Sequence, residues 1–210
     1  MVSNVCTLIN GNEKENAFFV SSPDGNTLII DPGSDPQLII NQLHKLNLKP
    51  VAILATHAHW DHISAVDELK THYNIPFYLH QNEAKLLKSL NLYRMLVAKM
   101  PLVNIPKVDY KLVSDNVFQI CSFEITPFLI GAHTAGSCFL LINNHLFTGD
   151  IIYKGRLDDQ TVKSNSDNLK VVIEKISNLA EEIIIYPGHG SKSTLSYELN
   201  HNSDLQNKLL

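Results

Sequence analysis

Val51-Ala52-Ile53-Leu54-Ala55-Thr56-His57-Ala58-His59-Trp60-Asp61-His62 passes from an unbroken apolar run into three histidines and an aspartate within six positions. A short apolar run that ends in a polar loop reads as a buried strand. Histidine and aspartate are donors that suit a borderline divalent ion. Residues two apart in an extended segment project the same way, so His57 and His59 can reach one ion. Asp61 and His62, at the turn into a helix, are displaced enough to serve a second. Helical periodicity continues through Ile63, Val66 and Leu69, which also makes Asp61 a candidate helix cap. One histidine in such a place is usually an ordinary core or surface side chain. This density in one loop points to metal.

Three further candidates follow, each at the end of a strand-like segment. His133 lies in Gly131-Ala132-His133-Thr134-Ala135-Gly136-Ser137 after the run 123–130, Asp150 ends Leu146-Phe147-Thr148-Gly149-Asp150, and His189 sits in Pro187-Gly188-His189-Gly190 after the run 183–186. Glycines beside all three suit loops that bring backbone close to a buried site.

In this order the residues resemble the metallo-β-lactamase superfamily, with its H-x-H-x-D-H motif, later histidine, bridging aspartate and last histidine. The resemblance implies that His57, His59 and His133 hold one metal, that Asp61, His62 and His189 hold a second, and that Asp150 lies between them. Asn16-Ala17-Phe18-Phe19-Val20 and Ile30-Asp31-Pro32-Gly33 are earlier landmarks. Asp31 is expected either to orient a ligand or to serve as a turn or cap residue. Two divalent ions are implied. Zinc is the favoured species, with iron and manganese as alternatives, because nitrogen and carboxylate donors suit all three.

The fold implied is an α/β class αβ/βα sandwich, two mixed β-sheets packed face to face with helices outside. The patterning agrees, since runs of strands followed by helices occur twice: strands near 5–9, 17–21, 27–31 and 51–55 with helices near 35–47 and 62–73, then strands between 116 and 148 with a helix near 166–179. A short strand at 77–80 precedes a helix at 81–90, and a strand at 183–186 precedes a closing helix from 193. Leu38, Ile39, Leu43 and Leu46, and Leu169, Val172, Ile173 and Ile176, have the spacing of core-facing helices. Leu90 to Pro106, apolar and broken by prolines, reads as a crossover on the sheets, or else as a lid over an apolar acyl group.

Pro187-Gly188-His189-Gly190 with Ser193-Thr194-Leu195, and Gly155-Arg156-Leu157-Asp158, resemble the small single-domain glyoxalase II-like hydrolases. That likeness implies hydrolysis of a small acyl thioester such as S-lactoylglutathione by metal-activated water, with Asp61 as both ligand and orienting acceptor. A thiol of pKa about 8.5 leaves without a strong acid, so a thioester asks least of such a site. Lactone or ester hydrolysis is the alternative, since Tyr153 resembles a tyrosine of acyl-homoserine lactonases; a one-iron persulfide dioxygenase is the third reading. Tyr153, Lys154 and Arg156 are the candidate substrate-binding residues, the two cations for a substrate carboxylate. An all-histidine and aspartate ligand set, lacking the cysteine of many zinc β-lactamases, argues against antibiotic hydrolysis. Two departures stand out: both prolines of the family's Pro-Gly-His-Thr-Pro-Gly-Ser are replaced, and the segment from Asp150 to Arg156 is shorter.

The 210 residues, 44% hydrophobic, are read as one domain spanning 1–210, with no Gly/Ser-rich or Pro-rich linker. A net charge of -4 offers no basic stripe for nucleic acid. The first ten residues lack a secretory pattern and no apolar run approaches membrane-spanning length, so a cytoplasmic protein with no membrane partner is expected. Three isolated cysteines, Cys6, Cys121 and Cys138, fit reduced and mostly buried thiols. Oligomeric state is left open.

Overall fold

The computed structural model describes residues 2, 4–163, 166–180 and 182–209. Strands β1 (Asn4–Asn10), β2 (Glu15–Ser21), β3 (Asn26–Ile30), β4 (Lys49–Leu54), β5 (Phe77–His80) and β6 (Tyr110–Leu112) form one six-stranded sheet in that order. A second sheet follows from β7 (Phe118–Ile120), β8 (Phe123–Leu129), β9 (Cys138–Ile142) and β10 (His145–Gly149). Between it and the last strands lies the small hairpin β11 (Ile152–Tyr153) and β12 (Arg156–Leu157). Then β13 (Ile184–Pro187) and β14 (Ser193–Thr194) complete the order β14-β13-β10-β9-β8-β7. Both sheets are mixed, as expected. β3, β4, β5 and β6 run parallel in the first, and β10 with β13 in the second.

Alternation along the strands builds the layers. On β2, Phe18 and Val20 join Leu28, Leu54, Phe123, Leu140 and Phe147 between the sheets, while Ala17 and Phe19 face the other way. Buried on both faces, β2 reads as a continuous apolar run, which is what a central strand of a covered sheet requires. Helices α1 (Pro36–Lys45), α2 (Trp60–Ile63) and α3 (Val66–Tyr73) cover the outer face of the first sheet through Ile39, Leu43, Ile63, Val66 and Leu69. α4 (Ala84–Lys88), α5 (Leu90–Tyr93), α6 (Asp159–Lys163) and α7 (Ser166–Ser177) come next in the chain, and α8 (Leu195–His201) and α9 (Ser203–Leu209) close it. Val172 and Ile176 of α7 pack with Leu195 and Leu205 on the outer face of the second sheet.

Several expectations need correction. The helix expected over 62–73 is two, interrupted at Ser64 and Ala65, where the Ser64 hydroxyl donates back to the Trp60 carbonyl. Asp61 does not cap it: His59 holds the cap position with extended backbone, and Asp61 lies in the first turn. The helix expected at 81–90 is a 3-10 turn (Gln81–Glu83) followed by two short helices. Leu38 and Leu46 are exposed, since Ile39 and Leu43, four apart, already fill the contact stripe of α1. Ile173 is partly buried, and the Leu169 side chain lies outside the described residues. Strand β6, the β11–β12 hairpin and α6 were too short to read from periodicity. All three cysteines are free, but only Cys138 is buried; Cys121 is exposed. Among the described residues no helix is long and apolar enough to cross a membrane.

Topology positions the site. Parallel strands deliver all their C-terminal ends to one sheet edge. Asp31 follows β3, Thr56 to His62 follow β4, and Glu83 follows β5. From the second sheet, β10 and β13 deliver Asp150 and His189.

Candidate metal centre

The seven residues expected as ligands converge. One ligand atom from each of His57, His59, His133 and Asp150 lies within 4.8 Å of the others, and Asp61, His62 and His189 form a second such group. In the first, His59 Nδ1 is 3.0 Å from His57 Nε2 and 2.9 Å from His133 Nε2. In the second, His189 Nε2 is 3.3 Å and His62 Nε2 3.8 Å from Asp61 Oδ2. Asp150 reaches into both, with one oxygen 3.5 Å from His62 Nε2 and the other 3.8 Å from His133 Nε2 and 3.7 Å from His189 Nε2.

The chain itself turns these rings so that a lone pair faces inward. Thr56 donates its hydroxyl to Asp31 Oδ2 at 2.7 Å, so at 3.1 Å from His57 Nδ1 it is left to accept. The His57 proton therefore sits on Nδ1, and Nε2 is free to bind a cation. Asp31 Oδ2 is 3.2 Å from His62 Nδ1, and Asp158 Oδ2 is 3.2 Å from His133 Nδ1; each favours the same tautomer. Asp31 is fully buried and holds a left-handed backbone, φ 47°, with Thr56 N donating to Oδ1 at 2.8 Å. It orients ligands, as one of its two sequence readings held. Thr56 was missed, although a hydroxyl directly at the end of a buried strand is a readable signal.

Two glycines admit the close approaches. A Cβ at Gly188 would lie 2.2 Å from Asp150 Oδ1 and 2.6 Å from the His62 ring. One at Gly149, whose φ is 51°, would meet Thr56 Oγ1 at 2.5 Å. Neither position tolerates a side chain.

Burial and the carboxylates divide the histidines. Burial holds His57 well below the ordinary histidine range, and with the neighbouring His133 and His62 lowers His59 to about 4. Burial opposes charge on His62 too, but Asp150 and Asp61 outweigh it and raise His62 well above the usual value. His189 is raised against burial by its bond to Asp61 and by Asp150. Asp61 and Asp150 are both lowered, the histidines outweighing the burial that would raise them. His62 Nε2 and Asp150 Oδ1 are nevertheless sealed from solvent without a hydrogen-bond partner. Such orphaned donor atoms are costly. A divalent cation between them satisfies both, so the residues fit a metal.

The substrate-binding candidates are spread along β11–β12. Tyr153 is mostly buried beside Asp150; burial first, then Asp150, pushes its phenol pKa up, so it stays protonated. The Arg156 guanidinium stacks on the Tyr153 ring, 4.4 Å from its centre. Lys154 instead lies over Tyr197, 5.3 Å from the ring, in a groove of about 380 Å³ that includes none of the seven ligands. Glu198 pins this turn by accepting from Gly155 N at 3.0 Å. A cavity of about 350 Å³ opens against His59, walled by Asn82, Lys85, Leu86 and Tyr93. Tyr93 of the segment from Leu90 to Pro106 lines that wall, while Ala98, Met100 and Val103 of the same segment pack on the core, as the crossover reading expects.

Known proteins are similar to this chain in sequence and fold. The family model described as the metallo-beta-lactamase superfamily matches residues 10–189. The chain is 31% identical over 191 residues to the probable metallo-hydrolase YqgX of Bacillus subtilis, covering 89% of this chain and 90% of that one. It is 25% identical over 211 aligned positions to the hydroxyacylglutathione hydrolase GloC of Haemophilus influenzae, covering 93% and 94%. The crystal structure of BLEG-1, a B3 metallo-beta-lactamase, superposes with a TM-score of 0.87 at 30% identity over 96% of this chain and 99% of that one. TTHA1623, crystallised in a di-iron-bound form, gives 0.81 at 25% identity over 94% and 98%. Ligand order, sheet topology and these matches lead to one conclusion: the chain belongs to the metallo-beta-lactamase superfamily, as a metal-dependent hydrolase with a histidine and aspartate metal site.

Proposed function

We propose that this protein is a dinuclear hydrolase of a small acyl thioester of the S-lactoylglutathione type, zinc being the favoured ion. The observation that carries the reading is Asp150, whose two oxygens face both groups of ligands. A pair of divalent ions held by these seven residues would supply a nucleophilic water near neutral pH and polarise the carbonyl. Asp61 is the ligand that would also accept a hydrogen bond from the attacking water and fix its direction. His57 is held in its tautomer by Thr56, and the carboxylates of Asp31 and Asp158, 3.2 Å from Nδ1 of His62 and His133, favour the same tautomer there, so all three turn lone pairs toward the centre.

The leaving group is inferred from what surrounds the centre. Tyr153 beside Asp150 is protonated, but its raised pKa makes it a poor proton donor to a departing amine. A thiolate needs no such donor. The likeness to GloC supports the same class. Arg156, on the Tyr153 ring, would hold a carboxylate of the substrate, and Lys154 would reach it only by leaving Tyr197. A cytoplasmic location and a small-molecule partner belong to this reading.

Turnover of S-lactoylglutathione, an acyl-homoserine lactone and a β-lactam by one metal-loaded preparation tests it. The thioester is expected to be the fastest of the three. A faster lactone would promote Tyr153 as the carbonyl-assisting group of a lactonase, and a faster β-lactam would align the protein with BLEG-1; either would overturn the thioester assignment.

A further inference from the structure

Glu83 follows strand β5 at the sheet edge where the ligands gather, and it is 1% exposed. Its carboxylate accepts three hydrogen bonds. Oε2 takes Ala58 N at 2.7 Å, and Oε1 takes Gly136 N at 2.7 Å and the Thr134 hydroxyl at 2.8 Å. Ala58 is the residue between His57 and His59. Thr134 directly follows His133, and Gly136 closes the same loop, where Thr134 N donates to Ser137 Oγ at 2.9 Å.

One side chain thus ties the two loops that carry His57, His59 and His133. The loops come from different sheets, and the loop 131–137 contains no proline, so its shape rests on such bonds. The clamp is tightly fitted: a Cβ on Gly136 would lie 2.7 Å from Glu83 Cγ and 2.9 Å from its backbone nitrogen. No comparable bond from Glu83 reaches Asp61, His62 or His189 among those described.

We infer that Glu83 is a positioning residue that sets the geometry of the His57, His59 and His133 half of the centre and leaves the other half untouched. All three contacts are donated to Glu83, so an amide cannot replace it: kept on Gly136 and Thr134, its oxygen leaves an NH2 facing the Ala58 N–H. The inference rests on the dinuclear reading, and its test separates the two.

Zinc affinity of metal-stripped protein is measured by chelator competition in two backgrounds. His189→Ala isolates the half held by the three histidines, and His59→Ala isolates the other. Glu83→Gln is expected to weaken zinc about 10- to 100-fold in the first background, as loss of an outer orienting partner does, and to stay within about threefold in the second. Thr134→Val, which deletes one donor, is expected to weaken the first by less. It also serves if Glu83→Gln fails to fold. Equal weakening in both backgrounds, or no change in the first for either variant, would overturn the clamp. Wild-type protein that takes up a single zinc would overturn the dinuclear reading instead.

Discussion

The two halves of the centre are built from the same donor types, yet their surroundings press them in opposite directions. His57 and His59 are kept neutral by burial first, and then by neighbouring histidines, chiefly His62 for His57 and His133 for His59. His62 and His189, equally part of the site, are driven toward charge by Asp61 and Asp150. His57 and His59 are therefore already in their metal-binding protonation state, whereas His62 and His189 hold protons in the place of a cation. Ligand identity alone does not set a metal site's behaviour; the carboxylates beside it do.

Asp150→Asn strikes both halves at once and gives the largest expected effect. It should lower metal content in each and reduce hydrolysis by at least about 1,000-fold, on the scale of losing a principal charge-stabilising group. Elemental analysis and turnover on the same sample check this, and normal values for both would remove Asp150 from its bridging place.

Asp31→Asn comes next. Its carboxylate touches His62 directly and His57 through Thr56, so zinc affinity should fall about 10- to 100-fold in both halves. A loss confined to one half would show that only one of these contacts matters.

The pH dependence sharpens the contrast. His62 and His189 have raised values, so in metal-free protein their protons persist past the usual histidine range and leave only as pH rises through the raised values. Metal must displace them, and affinity of that half should climb with pH by up to about tenfold per unit for each proton. His59, lowered to about 4, and His57, also lowered, carry no proton near neutrality, so the affinity they provide should be nearly flat from pH 6 to 8. Chelator competition in the two isolating backgrounds measures both slopes, and parallel slopes would contradict the division.

The smallest effect is expected at the substrate cations. Arg156→Ala should raise KM for an anionic thioester about threefold to tenfold while sparing a neutral ester, and Lys154→Ala should do less because that side chain rests on Tyr197. Equal changes for both substrates would place neither cation on a carboxylate.

The seven convergent residues were legible because each sits at the end of an apolar run, where strand period and loop glycine are local signals. The sandwich followed from the same runs. The supports were less visible. Glu83 and Thr56 act across the sheets, through partners 25 to 53 residues away or through a carboxylate from a neighbouring strand, and no local spacing encodes that. Asp158 stood in a quoted motif without its partner His133 being evident. The break between α2 and α3 was hidden because Ile63, Val66 and Leu69 keep helical spacing across it, and β6, β11 and β12 are too short for alternation to show. Lys154 was placed by proximity in sequence to Asp150, but the turn pinned by Glu198 carries it toward Tyr197.

The most direct measurement is metal content per chain in wild-type protein purified without added metal, then after saturation with zinc and removal of excess. A dinuclear centre bridged by Asp150 requires two ions per chain at saturation. A plateau at one ion, with Asp61, His62 and His189 dispensable for binding it, would contradict the bridge and return the centre to a mononuclear site.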